Sequence, residues 1–433
     1  MMNHKMALQT GVREIRMIEQ DNKWFGSMAF IIALLCYAIF SAPFPAQPGI
    51  AEATIGSLLV LFVTIPTGLI VMTGGFTLYQ RYRTVPMWLH LGFFMLLWWG
   101  LFNGGVIHSW DVTDIVRDII PCVYLFVPLM LLPAMNRTKY NWLKIFPWVI
   151  AFMGVILSMR FYNVANMSPL DVGKMYFFDN YLYLPYDPSV IFAGIFLPLM
   201  AIHTWKSSKL YSWVFSLFML VGGFLALGSL MAVAQRAPLA LAALSFSIYF
   251  LIISRRSLKR MLLLVIVLLG VGVLAQQQIE SSYQLLIDKQ ESFGANGKTD
   301  ELAAVIKETS QSSFSLMFGM GWGGLFHDPA VEFVEVSYTH SAMTFFLLKG
   351  GIFGVVIFLA YVLWISRNLL RSLSIKTLPI VLSSFMPVII GLFFQVSYKT
   401  LSYGMILTLM CLLYKQQVEK KAVGTTEKLM KHG

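Results

Sequence analysis

The chain has 433 residues, of which 58% are hydrophobic and 12% are charged, about half the charged share of an ordinary soluble domain. A mean hydropathy of +0.71 spreads apolar residues beyond any single core and excludes a water-exposed globule. The three cysteines, Cys36, Cys122 and Cys411, each sit in an apolar run and exclude a disulfide scaffold, and the net charge of +11 would suit nucleic acid only if it were gathered in one patch.

In chain order, residues 1–24 form a polar segment with Lys5, Arg13, Arg16 and Lys23 and no small-residue cleavage signature, so the first apolar run is a retained helix. A spanning helix needs about 20 apolar residues. That length predicts spans near 25–43, 53–76, 87–107, 115–134, 145–159, 189–204, 211–233, 237–253 and 261–275. A polar stretch over 276–339 follows, then spans near 340–364, 377–394 and 400–414, and a basic tail over 415–433. The expected fold class is an all-α polytopic integral membrane protein with about 12 transmembrane helices. Helices one to nine occupy 25–275, a large outer loop subdomain occupies 276–339, and helices ten to twelve occupy 340–414.

Charge orients these spans. With the N-terminus in the cytoplasm, alternate connections collect Arg81 and Arg83, then Arg137, Lys139 and Lys144, then Arg255, Arg256, Lys259 and Arg260, and finally the tail lysines. This is the positive-inside pattern, and it places both termini in the cytoplasm. Because the basic residues are scattered over short loops that orient helices, nucleic acid is not an expected partner. The partners expected from this pattern are membrane lipids.

Two outer connections are long. Residues 160–188 carry Phe161, Tyr162, Tyr176, Phe177, Phe178, Tyr181, Tyr183 and Tyr186, which suit either an interfacial aromatic belt or a sugar-stacking surface. Within 276–339, Asp300–Gln311 reads as a short amphipathic helix with Leu302, Val305 and Ile306 at helical spacing. The stretch Gly319-Met320-Gly321-Trp322-Gly323-Gly324 is a turn that lets backbone come close to a partner.

Charges beside the bilayer are costly and mark function by default. Arg236 opens one outer-facing helix in Gln235-Arg236-Ala237-Pro238, Arg117 lies in the first turn of another, and His340 opens a third. Helix starts present free N–H groups and partial positive charge, and guanidinium binds phosphate with two parallel hydrogen bonds. Together they suit a phosphate-bearing lipid headgroup. Arg117 equally suits an ion pair with Asp111, Asp114 or Asp118, and Lys349 reads as a structural or gating charge. His340 is the candidate base for a sugar hydroxyl. Glu301, Glu308, Asp328, Glu332 and Glu335 read as a solvated acidic face, and no metal set or cofactor motif is expected.

The stretches Ala234-Gln235-Arg236-Ala237, Phe318-Gly319-Met320-Gly321-Trp322-Gly323, Thr339-His340-Ser341 and Leu347-Leu348-Lys349-Gly350-Gly351-Ile352-Phe353-Gly354 occur in an order that resembles the O-antigen ligase and O-antigen polymerase superfamily of bacterial membrane glycosyltransferases. The match is closest over about 225–365 and is one of topology elsewhere. The resemblance implies a GT-C-like architecture in the bacterial inner membrane with a periplasmic active face. It implies a polyprenyl-diphosphate-linked glycan donor, an inverting transfer without metal, and a glycan or lipid A core as acceptor, with a chain-length regulator protein as a further partner. It also implies catalytic roles for His340, which orients or activates the acceptor hydroxyl, and Arg236, which holds the diphosphate. Arg117, Lys298, Trp322 and Tyr338 complete the expected substrate-binding set. Relatives carry an arginine in the large loop, whereas 276–339 holds only Lys289, Lys298 and Lys307, and Lys298 is the candidate substitute. The expected activity is polymerisation of a surface polysaccharide; a ligase is the alternative, and a lipid-linked oligosaccharide flippase or transporter is the alternative from another class.

Overall fold

The computed structural model describes residues 24–42, 50–75, 85–172, 183–204, 210–254, 298–329 and 334–414, with alternating parts of 262–287. A helix lies at every expected span, with 261–275 described only in part and helical at its described residues. The helices are α1 (Trp24–Phe40), α2 (Ile50–Val63), α3 (Ile65–Met72), α4 (Met87–Phe102), α5 (Val112–Phe126), α6 (Pro128–Asn136), α7 (Trp142–Val164) and α8 (Pro188–Thr204). They continue with α9 (Leu210–Ala232), α10 (Arg236–Ser254), α11 (Lys298–Thr309), α12 (Ser313–Phe318), α13 (Ala342–Arg371), α14 (Leu378–Phe393) and α15 (Leu401–Tyr414). Among the described residues 5 helices are long and apolar enough to cross a membrane, or up to 7 if each bent pair is one span. The protein is a helical membrane protein.

The shorter helix α8 is apolar all round and buried along nearly its whole length, packed against α7, α9 and α14, as a helix without a polar face must be. Three expected spans are not straight. Helices α2 and α3 meet at 91°, because Thr64 takes φ 70 and Pro66 in the next turn removes a donor. The fork of Arg137, just past α6, takes up what the break leaves: it donates to the Val63 carbonyl at 2.7 Å and to the hydroxyls of Thr64 and Thr67 at 3.3 and 3.2 Å. Helices α5 and α6 meet at 45° ahead of Pro128. Helix α13 breaks at Gly351, with φ 61 and ψ −157.

The glycine-rich turn after α12 fills that last break. Met320 N–H donates to the Leu348 carbonyl at 2.8 Å and Gly321 N–H to the Lys349 carbonyl at 3.0 Å. On its other side, Asn103 Nδ2 reaches the Gly319 carbonyl at 2.9 Å and Trp322 N–H the Gly100 carbonyl at 3.0 Å, beside a π-helical turn over Asn103–Ile107 that continues α4. Gly319 and Gly321 have φ 72 and 76, and a Cβ on either would run into the backbone of Lys349 or Gly104. The close partner expected for this turn is therefore the protein's own backbone.

Beyond the turn, strands β1 (Phe326–Asp328) and β2 (Val334–Val336) pair antiparallel, Phe326 opposite Val336. Val305, Met320, Phe326 and Leu348 form a small second core that seats α11 and the hairpin on α13. The inward face of α11 differs from the expected one. Glu301, Val305 and Thr309 are buried, whereas Leu302 and Ile306 are exposed, so a carboxylate one turn before Val305 points into the protein.

Candidate functional site

A cavity of about 1390 Å³ lies where α5, α10, α11, the segment before α13 and the turn before α15 converge. Its wall includes Arg117, Arg236, Lys298, Tyr338, His340 and Lys399. Five of these were expected from the sequence, and the fold brings them together from segments far apart in the chain.

Each is delivered by a local device. Ala234 takes φ 49, uncommon for a residue with a Cβ, and this sharp turn between α9 and α10 swings Gln235 and Arg236 into the wall. Gln395 Nε2 donates to Gln235 Oε1 at 2.8 Å, tying the start of α10 to the turn before α15. Lys298 is the first residue of α11, and its Nζ donates to the Phe394 carbonyl at 2.8 Å. Burial lowers the Lys298 ammonium below the ordinary lysine range, the charge of Arg236 lowers it further, and Glu301 opposes both.

His340 does not open a helix. Ser341 is the N-cap of α13, its hydroxyl accepting from Thr344 N–H at 3.2 Å, so His340 sits one residue outside. The adjacent Thr339 carbonyl accepts from the Tyr398 hydroxyl at 3.1 Å. The Glu301 carboxylate receives the His340 backbone N–H at 3.0 and 3.1 Å and the Thr344 hydroxyl at 3.1 Å. The same carboxylate pairs directly with His340 Nδ1. A carboxylate on Nδ1 fixes the proton there and leaves Nε2 as an acceptor. The Glu301 side chain is 2% exposed and the His340 side chain 33%: an anchored acid behind a histidine that reaches the cavity.

Arg117 is also displaced from its expected place. Helix α5 starts earlier, at an Asp111 cap that accepts from Thr113 N–H at 2.7 Å; this bond holds the Asp111 carboxyl below its usual range. Arg117 therefore lies in the second turn, ion-paired with Asp114 and donating to the Ser337 hydroxyl at 2.7 Å. The sequence matches no protein-family model, and no curated protein is significantly similar to it. What the site does is therefore read from its own residues.

Two expected residues stand elsewhere. Trp322 is 1% exposed, donates Nε1–H to the Leu97 carbonyl at 3.0 Å and stacks on Phe345. It is a core residue, pulled in by the turn that closes the break in α13, and is not part of the cavity wall. Lys349 is fully buried in an ion pair with Asp118, whose carboxylate also receives Gly323 N–H at 2.8 Å. That pair locks α5, α13 and the glycine turn together, which is the structural role expected of Lys349.

The solvated acidic face expected from the sequence does not hold for Glu301 and Asp328, which are buried, and Lys399 is a wall residue to which the sequence gave no role. Glu301 sits 39 residues from His340, and its only local signal is its one-turn spacing from Val305. Of the aromatic loop, Tyr183 and Tyr186 line the cavity, and burial raises the Tyr183 phenol. Phe161 and Tyr162 belong instead to α7 and are buried, while Tyr176, Phe177, Phe178 and Tyr181 lie outside the described residues. Glu301, Asp328 and His340 also bring one ligand atom each within 4.8 Å of one another, the one such set among the described residues. Both Glu301 oxygens already accept from His340 and Thr344, so the geometry favours an orienting carboxylate over a metal ligand.

Proposed function

We propose that the protein is a membrane glycosyltransferase that moves a glycan from a polyprenyl diphosphate to a glycan acceptor, and within that class a polymerase of a surface polysaccharide such as O-antigen. On this reading it has twelve spans, both termini in the cytoplasm of a bacterium, and a periplasmic cavity under the 276–339 subdomain. The observation that carries it is one cavity wall shared by Arg117, Arg236, Lys298 and a carboxylate-backed histidine. Cations suit a diphosphate, and the histidine suits a hydroxyl that must lose its proton.

The chemistry is an inverting displacement. The acceptor hydroxyl oxygen attacks the anomeric carbon as its proton passes to His340 Nε2, and Glu301 stabilises the imidazolium through Nδ1–H. The bond from the anomeric carbon to the diphosphate oxygen breaks, and its electron pair leaves with the carrier diphosphate. Arg236 and Lys298 hold that growing charge, with Arg117 further along the wall. Tyr183, Tyr186 and Tyr338 offer aromatic faces for sugar rings.

The test is a gel of surface glycan from a strain lacking the chain, with the lipid-linked pool beside it. Core bearing a single repeat unit, with the ladder gone, is the expected result. Bare core with long polymer on the carrier would assign the ligase activity instead. Repeat units stranded on the inner leaflet would assign a flippase, and an unchanged ladder would remove the chain from this pathway.

A further inference from the structure

Lys399 is 8% exposed and contributes to the cavity wall, yet among the described residues no carboxylate or carbonyl hydrogen-bonds its ammonium. Its Nζ lies instead 5.2 Å from the ring centroid of Phe345, 5.6 Å from Tyr338 and 5.8 Å from Tyr398. Aromatic faces hold a cation in place without neutralising it. The contrast within the same protein is direct: Lys349, buried to a similar degree, is neutralised by Asp118. A buried charge left unneutralised is costly, and a cation facing a cavity meets that cost when an anion arrives.

The backbone around Lys399 is fixed relative to both main residues of the site. Gln395, at the head of the 3₁₀ turn Val396–Lys399, is bonded to Gln235 beside Arg236. Tyr398 is bonded to Thr339 beside His340. The turn is thus tied on one side to the start of α10 and on the other to the segment before α13, and Lys399 shares the cavity wall with Arg236 and His340.

We propose that Lys399 is a direct ligand of the diphosphate headgroup that enters this cavity, a contact additional to Arg236 and Lys298. This rests on reading the cavity as a diphospholipid site. Burial pushes the Lys399 ammonium down to about 7, with Asp118 and Glu301 opposing and Lys349 and Arg117 reinforcing that fall. These come from α5, α11 and α13; Tyr338 and Tyr398 are the titratable rings against it, and His340, Arg236 and Lys298 share its wall. A phosphate brought beside Lys399 favours its charged form, so the anion binds together with a proton. Affinity contributed by Lys399 is then full below about pH 7 and falls as pH rises, by up to about tenfold per pH unit.

The test uses the full chain in lipid nanodiscs with two probes, farnesyl diphosphate and inorganic diphosphate, titrated between about pH 6 and about pH 8.5. The probes' own last ionisation strengthens binding with pH, so each pH point is compared with Lys399→Arg, which stays charged throughout. The expected result is binding weakened about tenfold or more by Lys399→Met near pH 6.5, retained by Lys399→Arg, and a wild-type pH dependence that Lys399→Arg lacks. Farnesyl diphosphate binding far more tightly than inorganic diphosphate would identify the lipid-borne headgroup as the ligand, and equal binding would identify the free anion; either is compatible with contact by Lys399. Wild-type affinity in Lys399→Met, beside a loss in Arg236→Lys, would remove Lys399 and leave the reading of the cavity standing. Loss of binding and of thermal stability in both Lys399 variants would make Lys399 structural and overturn the proposal. No binding of either probe to the wild type would overturn the reading and the proposal together.

Discussion

The pairing of His340 Nδ1 with Glu301 divides the expected effects of substitution. Removing the base should cost the whole contribution of proton transfer, so His340→Ala is expected to lower turnover about 10²–10⁴-fold while donor binding survives. Glu301→Gln keeps the shape but offers Nδ1–H a neutral amide in place of a carboxylate. It is expected to lower kcat with little change in KM, because the imidazolium exists only as the hydroxyl is deprotonated. Single-turnover kinetics beside donor-binding titrations check both; equal loss of donor binding in His340→Ala would reassign it to positioning. The same cluster carries a second expectation. With Glu301 occupied by His340 and Thr344, activity should survive exhaustive chelation. Activity lost to a chelator and restored by one divalent ion would make Glu301, Asp328 and His340 a metal set.

At the scale of elements, the motifs that carried the resemblance divide between chemistry and architecture. Arg236 and His340 were legible because a charge at the edge of a long apolar run is conspicuous. The glycine motifs were legible as turns, but their target was not: Gly319 and Gly351 are over thirty residues apart, and only the fold shows one closing the break made by the other. Trp322 was misplaced for the same reason, since a tryptophan in a polar stretch looks available until its neighbours are known. Gly319→Ala should therefore destabilise by about 1–3 kcal/mol or more, from φ 72 and the clash with Lys349 backbone. Gly56→Ala, with open space around its Cβ, should be neutral or stabilise by up to about 1 kcal/mol. Lys349→Met strands the Asp118 carboxylate and should cost about 3–5 kcal/mol, partly recovered by adding Asp118→Asn. Thermal unfolding followed by tryptophan fluorescence in detergent measures all of these. Equal stability of the two glycine variants would mean that the turn does not depend on its left-handed residues.

Across the whole molecule, the helical and apolar character of the runs was legible because each has about the length a bilayer requires, whereas their bends were not. The 91° break between α2 and α3 raises the question of whether that pair crosses or turns back. The cavity bears on it. Its wall takes Ser41 and Ala42 from the end of α1, Glu52 from the start of α2, Asp114 from the start of α5 and Asp187 from just before α8, as well as Arg236 at the start of α10, His340 ahead of α13 and Thr400 ahead of α15. One face of the membrane can supply both Glu52 and Asp114 only if an even number of crossings separates them. With α4 as one crossing, the proposed placement of the cavity at the outer face makes the α2 and α3 pair the expected second crossing. Ala42→Cys and Lys139→Cys, each in a chain with Cys36→Ala, should then react with a membrane-impermeant maleimide from opposite faces. The remaining cysteines, Cys122 and Cys411, are buried and should stay silent. Labelling of both introduced cysteines from the same face would make α2 and α3 a re-entrant pair and reverse every later connection, taking with it the assignment of the cavity to the outer surface.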